Sequence, residues 1–303
     1  MQLNISPENS NQRLDKFLVN KLENLSRSQI QKKIKNTLIL VNNKNINPHY
    51  FLKAGDVITV TSKQPTVISN KKLLNKIKII FEDKNYLIIY KPAGLLIHPD
   101  NIHNETTLQD YLEKKFKKIY ITHRLDRDVC GLLVVAKNLD SYNYFKNLFK
   151  TRKIIKIYQA LVHGKVETDQ GIIYRPIIRS KKTGLMIAKS TPDSKAKKAI
   201  TEFKVLERYK NYSLLKINLK TGRTHQIRVH LKSIGHSIVG DKLYKTKNLK
   251  NKINNKINLN NIFLCAVELE FLDINNNLQH YKINLPRNLK IFLNNLQSSR
   301  RRE

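Results

Sequence analysis

The stretch HRLDRDVCGLLVVAK, residues 123–137, sets Asp126 between Arg124 and Arg127 and follows it with Asp128. Neighbouring cations favour the charged form of a carboxyl group, so Asp126 is expected to be ionised. An ionised carboxylate can ligate a metal, lock a turn through salt bridges, or attack an electrophile. The metal reading makes Asp126 and Asp128 the centre of a divalent-cation-dependent transferase. Against it, the two arginines repel such an ion and no further acids cluster nearby. The salt-bridge reading asks for nothing beyond the turn. The nucleophile reading requires one deprotonated carboxylate, free of metal, in a site that also holds the substrate. These residues alone leave the three open.

A second cluster is LKTGRTHQIRVHLKSIGHSIVGD, residues 219–241. Thr224 can cap a helix with Ile227, Leu231 and Ile234 on its inner face, and Gly235 is a natural stop. Arg223, Arg228 and Lys232 then form a basic edge beside His225 and His230. The histidines are five apart, not the four that places two ligands on one helical face, so they read as core or surface residues. Arg228 adjoins the apolar stripe, where an unpaired cation is costly, so a carboxylate should meet it. Two lesser stretches complete the set. YKPAGLLIHP (90–99) is a strand running into a tight turn. KIYQALVHG (156–164) alternates, putting Tyr158 opposite Ile157 and Leu161, either as packing or as a plane on which a base stacks.

The elements that must position these groups follow from periodicity. LLVVA (132–136) is apolar on both faces, as in a central strand, so Asp126 and Asp128 lie in the loop that feeds it. Further strand-like runs are IKIIFED, YLIIYKPAG, KIYQALVHG, AITEFKVLERY, YSLLKINLKTG and FLCAVELEFLD. Helical stretches lie near 107–118, 140–152 and 224–234. Many strands with few helices between them predict an α+β catalytic domain with a mixed, largely antiparallel central sheet flanked by helices. No glycine-rich nucleotide loop and no internal repeat is present. Toward the N-terminus, Leu14, Phe17, Leu18 and Leu22 mark one helix. Ser26 opens a second, RSQIQKKIKN, with Arg27, Gln31, Lys32 and Lys35 on its outer face, and two strands follow. The expected organisation is a small α/β domain over 11–62, a linker over 63–76 and the catalytic domain over 77–300.

Across 303 residues, 57 Lys and Arg stand against 23 Asp and Glu, a net charge of +34. That excess is spread along the chain, and a dispersed positive field attracts polyanions, nucleic acid first and an anionic membrane surface second. Codon bias toward Lys, Asn and Ile accounts for part of it, as in NLKNKINNKINLNN (248–261). No signal peptide and no run long enough to span a bilayer is apparent, so a cytoplasmic protein without membrane association is expected. Cys130 and Cys265 fit neither a disulfide framework nor a zinc pattern.

Helix–helix–strand–turn–strand with RLDKFL, LSRSQIQKKIK, ILVNN and KAGDVI resembles the S4-like RNA-binding domain, named after a ribosomal protein. KPAGLLIHP, HRLDRDVCGLLVVAK, KIYQALVHG and TGRTHQIRVHL…GHSIVGDKLY, in this order, closely resemble the RluA-type pseudouridine synthases, and their spacing looks most like the RluD branch. The resemblance covers residues 13–286. It implies isomerisation of uridine to pseudouridine in RNA, with large-subunit rRNA, free or in a pre-ribosomal particle, as the expected partner. That reaction itself requires neither metal nor organic cofactor, and a monomer is the default expectation. Asp126 is then the nucleophile, Tyr158 the tyrosine that packs on the uracil, and Arg228 the arginine that pairs with the aspartate. Arg124 fills the place of the everted uridine, while Arg223, Arg27, Lys32 and Lys35 bind RNA. One departure is Val129-Cys130, where the family usually carries Thr-Ser; it removes hydroxyls that could fix the loop. That departure alone favours the alternative, an RNA-binding ribosome-assembly factor without catalysis.

Overall fold

A computed structural model describes residues 1–22, 25–35, 37–61, 70–99, 105–191, 193–246, 259 and 261–298, without the side chains of Lys32, Lys35 and Ser298. Lys32 and Lys35, expected to contact RNA, therefore lie outside the described side chains, as do residues 63–69 of the expected linker and most of the Lys/Asn-rich insertion. The chain divides into two units, Met1–Ser69 with His98–Thr106, and Asn70–Ile97 with Thr107–Glu303.

The N-terminal unit is built from strand β1 (Gln2–Asn4), helices α1 (Leu14–Lys21) and α2 (Arg27–Lys35), and strands β2 (Ile39–Val41) and β3 (Val57–Val60). The three strands form an antiparallel sheet in the order β1-β3-β2. β1 precedes the expected domain start at residue 11, because three residues alternate too briefly to announce a strand. Leu14, Phe17 and Leu18 of α1 pack with Ile30 and Ile34 of α2 over Ile39, Val41 and Ile58. α2 opens as the sequence suggests: Ser26 N–H donates to Gln29 Oε1 at 2.7 Å, and the Gln29 N–H returns to Ser26 Oγ at 3.4 Å. This reciprocal pair satisfies donors that the first helical turn leaves open.

In the catalytic unit a short helix α3 (Lys71–Leu74) occupies part of the expected linker. The strands are β4 (Lys78–Glu82), β5 (Tyr86–Lys91), β6 (Tyr120–Ile121), β7 (Cys130–Ala136), β8 (Ile155–His163) and β9 (Gln170–Tyr174). They continue with β10 (Ile177–Arg179), β11 (Met186–Ala188), β12 (Ile200–Arg208), β13 (Tyr212–Leu219), β14 (Leu264–Leu272) and β15 (Leu278–Lys282). The helices are α4 (Leu108–Lys115), α5 (Leu139–Thr151), α6 (Gln226–Ser233) and α7 (Arg287–Ser298). A ten-stranded sheet runs β4-β5-β7-β14-β8-β13-β12-β9, with β15 beside β14 and β6 beside β7. Among its described pairings β7–β14 is parallel and the others are antiparallel, so the α+β, largely antiparallel expectation holds.

β7 is buried along its whole length, between β5 on one side and β14 on the other. Its two faces feed two cores: Leu133 and Val135 pack with α4, while Leu132, Val134 and Ala136 pack under Phe145 and Leu148 of α5. This explains a run apolar at every position rather than at alternate ones. β7 also approaches β14 closely. At Gly131 (φ +126°) a Cβ would come within 2.2 Å of the Ala266 carbonyl oxygen, so a side chain has no room there. Strands β6, β9 to β11 and β15 and helix α7 lie outside the runs expected from periodicity. α7 nevertheless shows the helical pattern in Leu289, Phe292, Leu293 and Leu296, all packed on the main core.

Candidate active site

Asp126 sits in the turn immediately before β7, where the Val129 N–H donates to the Asp126 carbonyl at 3.1 Å. That turn is clamped from behind by the KPAG segment. Gly94 N–H donates to the Arg127 carbonyl at 2.8 Å and Arg127 Nε donates back to the Gly94 carbonyl at 3.2 Å. The Lys91 ammonium, wholly buried, donates to the carbonyls of Pro92, Leu95 and Arg127 at 3.0, 2.8 and 2.9 Å. Three carbonyls match three N–H donors, so the lysine ties two loops together rather than carrying a surface charge. Burial pushes its ammonium down to about 7, against the pull of Asp128 and Asp126. From the sequence, the same residues were only a turn. His123 accepts the Val134 N–H at Nε2, 3.0 Å, and stacks on Phe149, fixing the start of the HRLDR segment.

The opposite wall is α6. Its first residue is preceded by His225 in the left-handed region (φ 55°), which makes no side-chain cap, so Thr224 is not the helix cap expected from sequence. Gln226 closes the turn instead: its Oε1 accepts from Thr221 Oγ1 at 2.7 Å and from Arg223 N–H at 3.0 Å. Gly235 ends the helix as predicted, with φ +90° and its N–H on the Lys232 carbonyl. Facing inward from α6, Arg228 is buried and meets two carboxylates. Nε and Nη2 fork onto Asp241 at 2.7 and 2.9 Å, and Nη1 reaches Asp126 at 3.2 Å. The carboxylate sought for Arg228 is thus a pair, with Asp241 the closer member. Burial opposes the Arg228 charge, but Asp241 and then Asp126 raise its pKa above the usual arginine value. Asp241 is held below the usual carboxylate range by Arg228 and the backbone N–H groups of Tyr244 and Leu243, despite burial.

Tyr244 finishes the wall. Its hydroxyl accepts the Met186 N–H at 3.1 Å and meets His225 Nδ1 at 2.8 Å, while its ring lies 5.0 Å from the Arg228 guanidinium carbon. The hydroxyl thus bridges the Met186 backbone and His225, whose Nε2 lies 3.9 Å from Asp126 Oδ2. Burial lowers the His225 pKa, partly offset by Asp126. His225 therefore faces Asp126 and is neither core nor surface. His230 is a core histidine, buried between Thr201 Oγ1 and the Arg175 carbonyl at 2.9 Å each.

Tyr158 comes from β8, with Ile217 and Ala266 as its register partners on β13 and β14. Burial first, and the Asp126 charge second, push its phenol well above the ordinary value, so it is a neutral hydroxyl. Asp126, Arg124, Tyr158, Arg223, His225 and Arg228 line one cavity of about 110 Å³, with Val129 and Leu264 as apolar wall. Arg124 is exposed, and Arg223 Nε donates to the Lys198 carbonyl at 3.1 Å. Asp128 does not line the cavity, so the two carboxylates are not aimed at one point. Arg27 belongs to α2 of the N-terminal unit, where its Nε donates to the buried Asp15 at 3.0 Å. Arg13 and Gln31 donate to the same carboxylate and, with Arg27, hold it below its usual range although burial opposes this. The sequence missed Asp241 and Tyr244, whose partners Arg228 and His225 lie 13 or more residues away, and Lys91, whose burial among carbonyls of its own turn and of Arg127 only the fold creates.

Comparison with known proteins shows the family to which the chain belongs. Residues 85–233 match the family described as RNA pseudouridylate synthase, and residues 12–58 match the S4 domain. An uncharacterised RNA pseudouridine synthase, YlyB of Bacillus subtilis, is 34% identical over 253 residues, 80% of this chain and 82% of that one. Ribosomal large subunit pseudouridine synthase D of Buchnera aphidicola subsp. Acyrthosiphon pisum is 36% identical over 262 residues, 82% of each chain. Among solved structures, human RNA pseudouridylate synthase domain containing 1 superposes with a TM-score of 0.60 at 25% identity, over 70% of this chain and 85% of its own. Sequence relatives of this extent and a shared fold lead to one conclusion: the chain is an isomerase of the RNA pseudouridine synthase family, RluA-type, with an N-terminal S4 domain.

Proposed function

We propose that this enzyme converts specific uridines of large-subunit rRNA to pseudouridine and that Asp126 is its nucleophile. The supporting observation is the convergence of Asp126, Arg228 and Tyr158 on one small cavity. The relatives named as large-subunit rRNA synthases support the substrate class.

In this reading the target uridine leaves its stack, at a cost of about a few kcal/mol, to bring its base and sugar to the protein. Arg124, exposed at the cavity, occupies the place the base vacates. Tyr158 offers its ring face to the uracil. Its raised pKa suits this packing role, and its hydroxyl stays a proton donor. Asp126 attacks either the ribose anomeric carbon or the uracil ring. Arg228, itself gripped by Asp241, holds the carboxylate aimed, so little reorganisation is needed when it reacts. The bond from N1 to the sugar breaks, the base turns, carbon five bonds to the same sugar carbon, and the bond made by Asp126 breaks to free its carboxylate. Carbon five loses its proton and N1 gains one, so the product is an isomer of the substrate. Arg27 and the basic face of the S4 domain, with Arg223, hold flanking phosphates. The chain acts as a cytoplasmic monomer on rRNA or a pre-ribosomal particle; no described helix is long and apolar enough to cross a membrane.

The test is release of tritium from carbon-five-labelled uridine in transcribed rRNA fragments, with site mapping in a strain lacking the chain. Release together with a missing pseudouridine in that strain supports the reading. Binding without release would make the chain an assembly factor.

A further inference from the structure

Cys130 and Cys265 have no part in the reaction above, and 135 positions of sequence hide their relationship. They are register partners on the parallel pair β7 and β14, both buried and both free thiols. Neighbouring strands lie about 4.8 Å apart, inside the range of Cα separations that a disulfide spans. The gap is narrow here, since at the next residue Gly131 only a missing side chain lets the backbones approach. Side chains of residues opposite one another in adjacent strands leave the sheet on the same face, so the two thiols are neighbours.

Cys130 is the more electron-rich of the two. Its Sγ lies 3.7 Å from the Leu264 carbonyl, and Cys265 first, then the Lys91 ammonium and the Tyr90 hydroxyl, act on its charge. Together these favour its thiolate over burial, which opposes it, whereas Cys265 is pushed up. A nearby cation favours the thiolate, which is the reactive form of a cysteine that a reagent can reach. Cys130 also lies on the wall of an open cleft of about 1480 Å³, beside Tyr90, Pro92 and Ala93, which gives a water-sized reagent a route to it.

We propose that Cys130 and Cys265 are a peroxide-oxidisable dithiol, with Cys130 as the attacking and Cys265 as the resolving thiol. The Cys130 thiolate attacks one oxygen of hydrogen peroxide, the O–O bond breaks, and hydroxide leaves to become water, giving a sulfenic acid. The Cys265 sulfur then attacks the Cys130 sulfur, the S–O bond breaks, a second water leaves, and the S–S bond closes. Two thiols give up two electrons and peroxide accepts them. The staple forms directly behind the Asp126 cavity, because Val129 and Leu264, the residues preceding each cysteine, line it.

The experiment treats the purified full-length protein with hydrogen peroxide, denatures it, alkylates free thiols and measures the intact mass. Peptide mapping without reductant follows. The expected result is loss of both alkylation sites, a mass lower by two hydrogens, and one peptide pair joining Cys130 to Cys265 within a single chain. Dithiothreitol restores both thiols. In C265A the reaction stops at a sulfenic acid on Cys130, captured by dimedone. Should C265A fail to fold, the wild-type peptide pair decides. Two alkylatable thiols after peroxide, a link between two chains, or dimedone capture on Cys265 in C130A would overturn the assignment.

Discussion

Arg228 and Asp241 form a two-pronged ion pair at 2.7 and 2.9 Å inside the protein, and the remaining Nη1 of that arginine is what reaches Asp126. The guanidinium cannot turn toward Asp126 without breaking the fork. Asp241 thus sets the direction from which Asp126 is held.

Asp241→Asn should lower stability by about 3 kcal/mol, because breaking a buried pair strands its partner. It should also lower turnover about 100-fold through misplacement of Arg228, with urea unfolding and tritium release as the readouts. The sign with pH follows from the depressed Asp241 pKa. Its contribution is complete above the unfolded value of about 4 and fades as pH falls through the folded value. The variant should therefore unfold in acid with a shallower pH dependence than the wild type.

Tyr244→Phe removes the hydroxyl shared by Met186 and His225 but keeps the ring against Arg228. A hydrogen-bond loss of about 1–3 kcal/mol is expected in stability. Turnover should fall by about 10-fold with KM nearly unchanged, since His225 loses its orientation toward Asp126 while the substrate surface is intact. Steady-state kinetics on an rRNA fragment separates the two constants.

Histidine burial predicts acid sensitivity. Burial first, and then Lys156, lower the His123 pKa to about 3, and His163, His225 and His230 are also lowered. Below about pH 6.5 the unfolded chain takes up protons that the folded chain refuses, so stability declines as pH falls through that value. For His123 the decline continues to about pH 3. His123→Gln keeps an acceptor for the Val134 N–H and does not titrate. Its stability should vary less with pH between 6 and 4, by about 1.4 kcal/mol per pH unit, in urea unfolding at each pH.

Lys91→Met strands the three carbonyls that tie KPAG to the Asp126 loop. A loss of about 3 kcal/mol is expected, on the scale of one buried charged donor. Thermal unfolding checks it.

Much of this was legible in the order of residues. The unbroken apolar run 132–136 announced a strand buried on both faces, and it is the strand that carries Asp126 at its mouth. An arginine beside an apolar stripe demanded a carboxylate, and two are present. What stayed hidden depends on distance along the chain. Asp241 reads as the end of a loop until α6 folds against it, and Lys91 reads as part of a turn until three carbonyls surround it. His225 kept a spacing that excluded zinc, yet nothing local says that its ring faces Asp126. Strands of three residues, β10 and β11, fall below the length at which alternation is recognisable. α7 was recognisable from its i, i+3, i+4, i+7 apolar positions but lies in an Asn-rich tail that diverts attention from periodicity.

The most direct measurement is pseudouridine formation by Asp126→Asn, paired with RNA affinity. Amide and carboxylate have nearly the same shape, so the cavity and the S4 domain are preserved while the nucleophile is lost. No tritium release above background, with affinity within about threefold of wild type, is the predicted result. Turnover retained by the variant would contradict the assignment of Asp126.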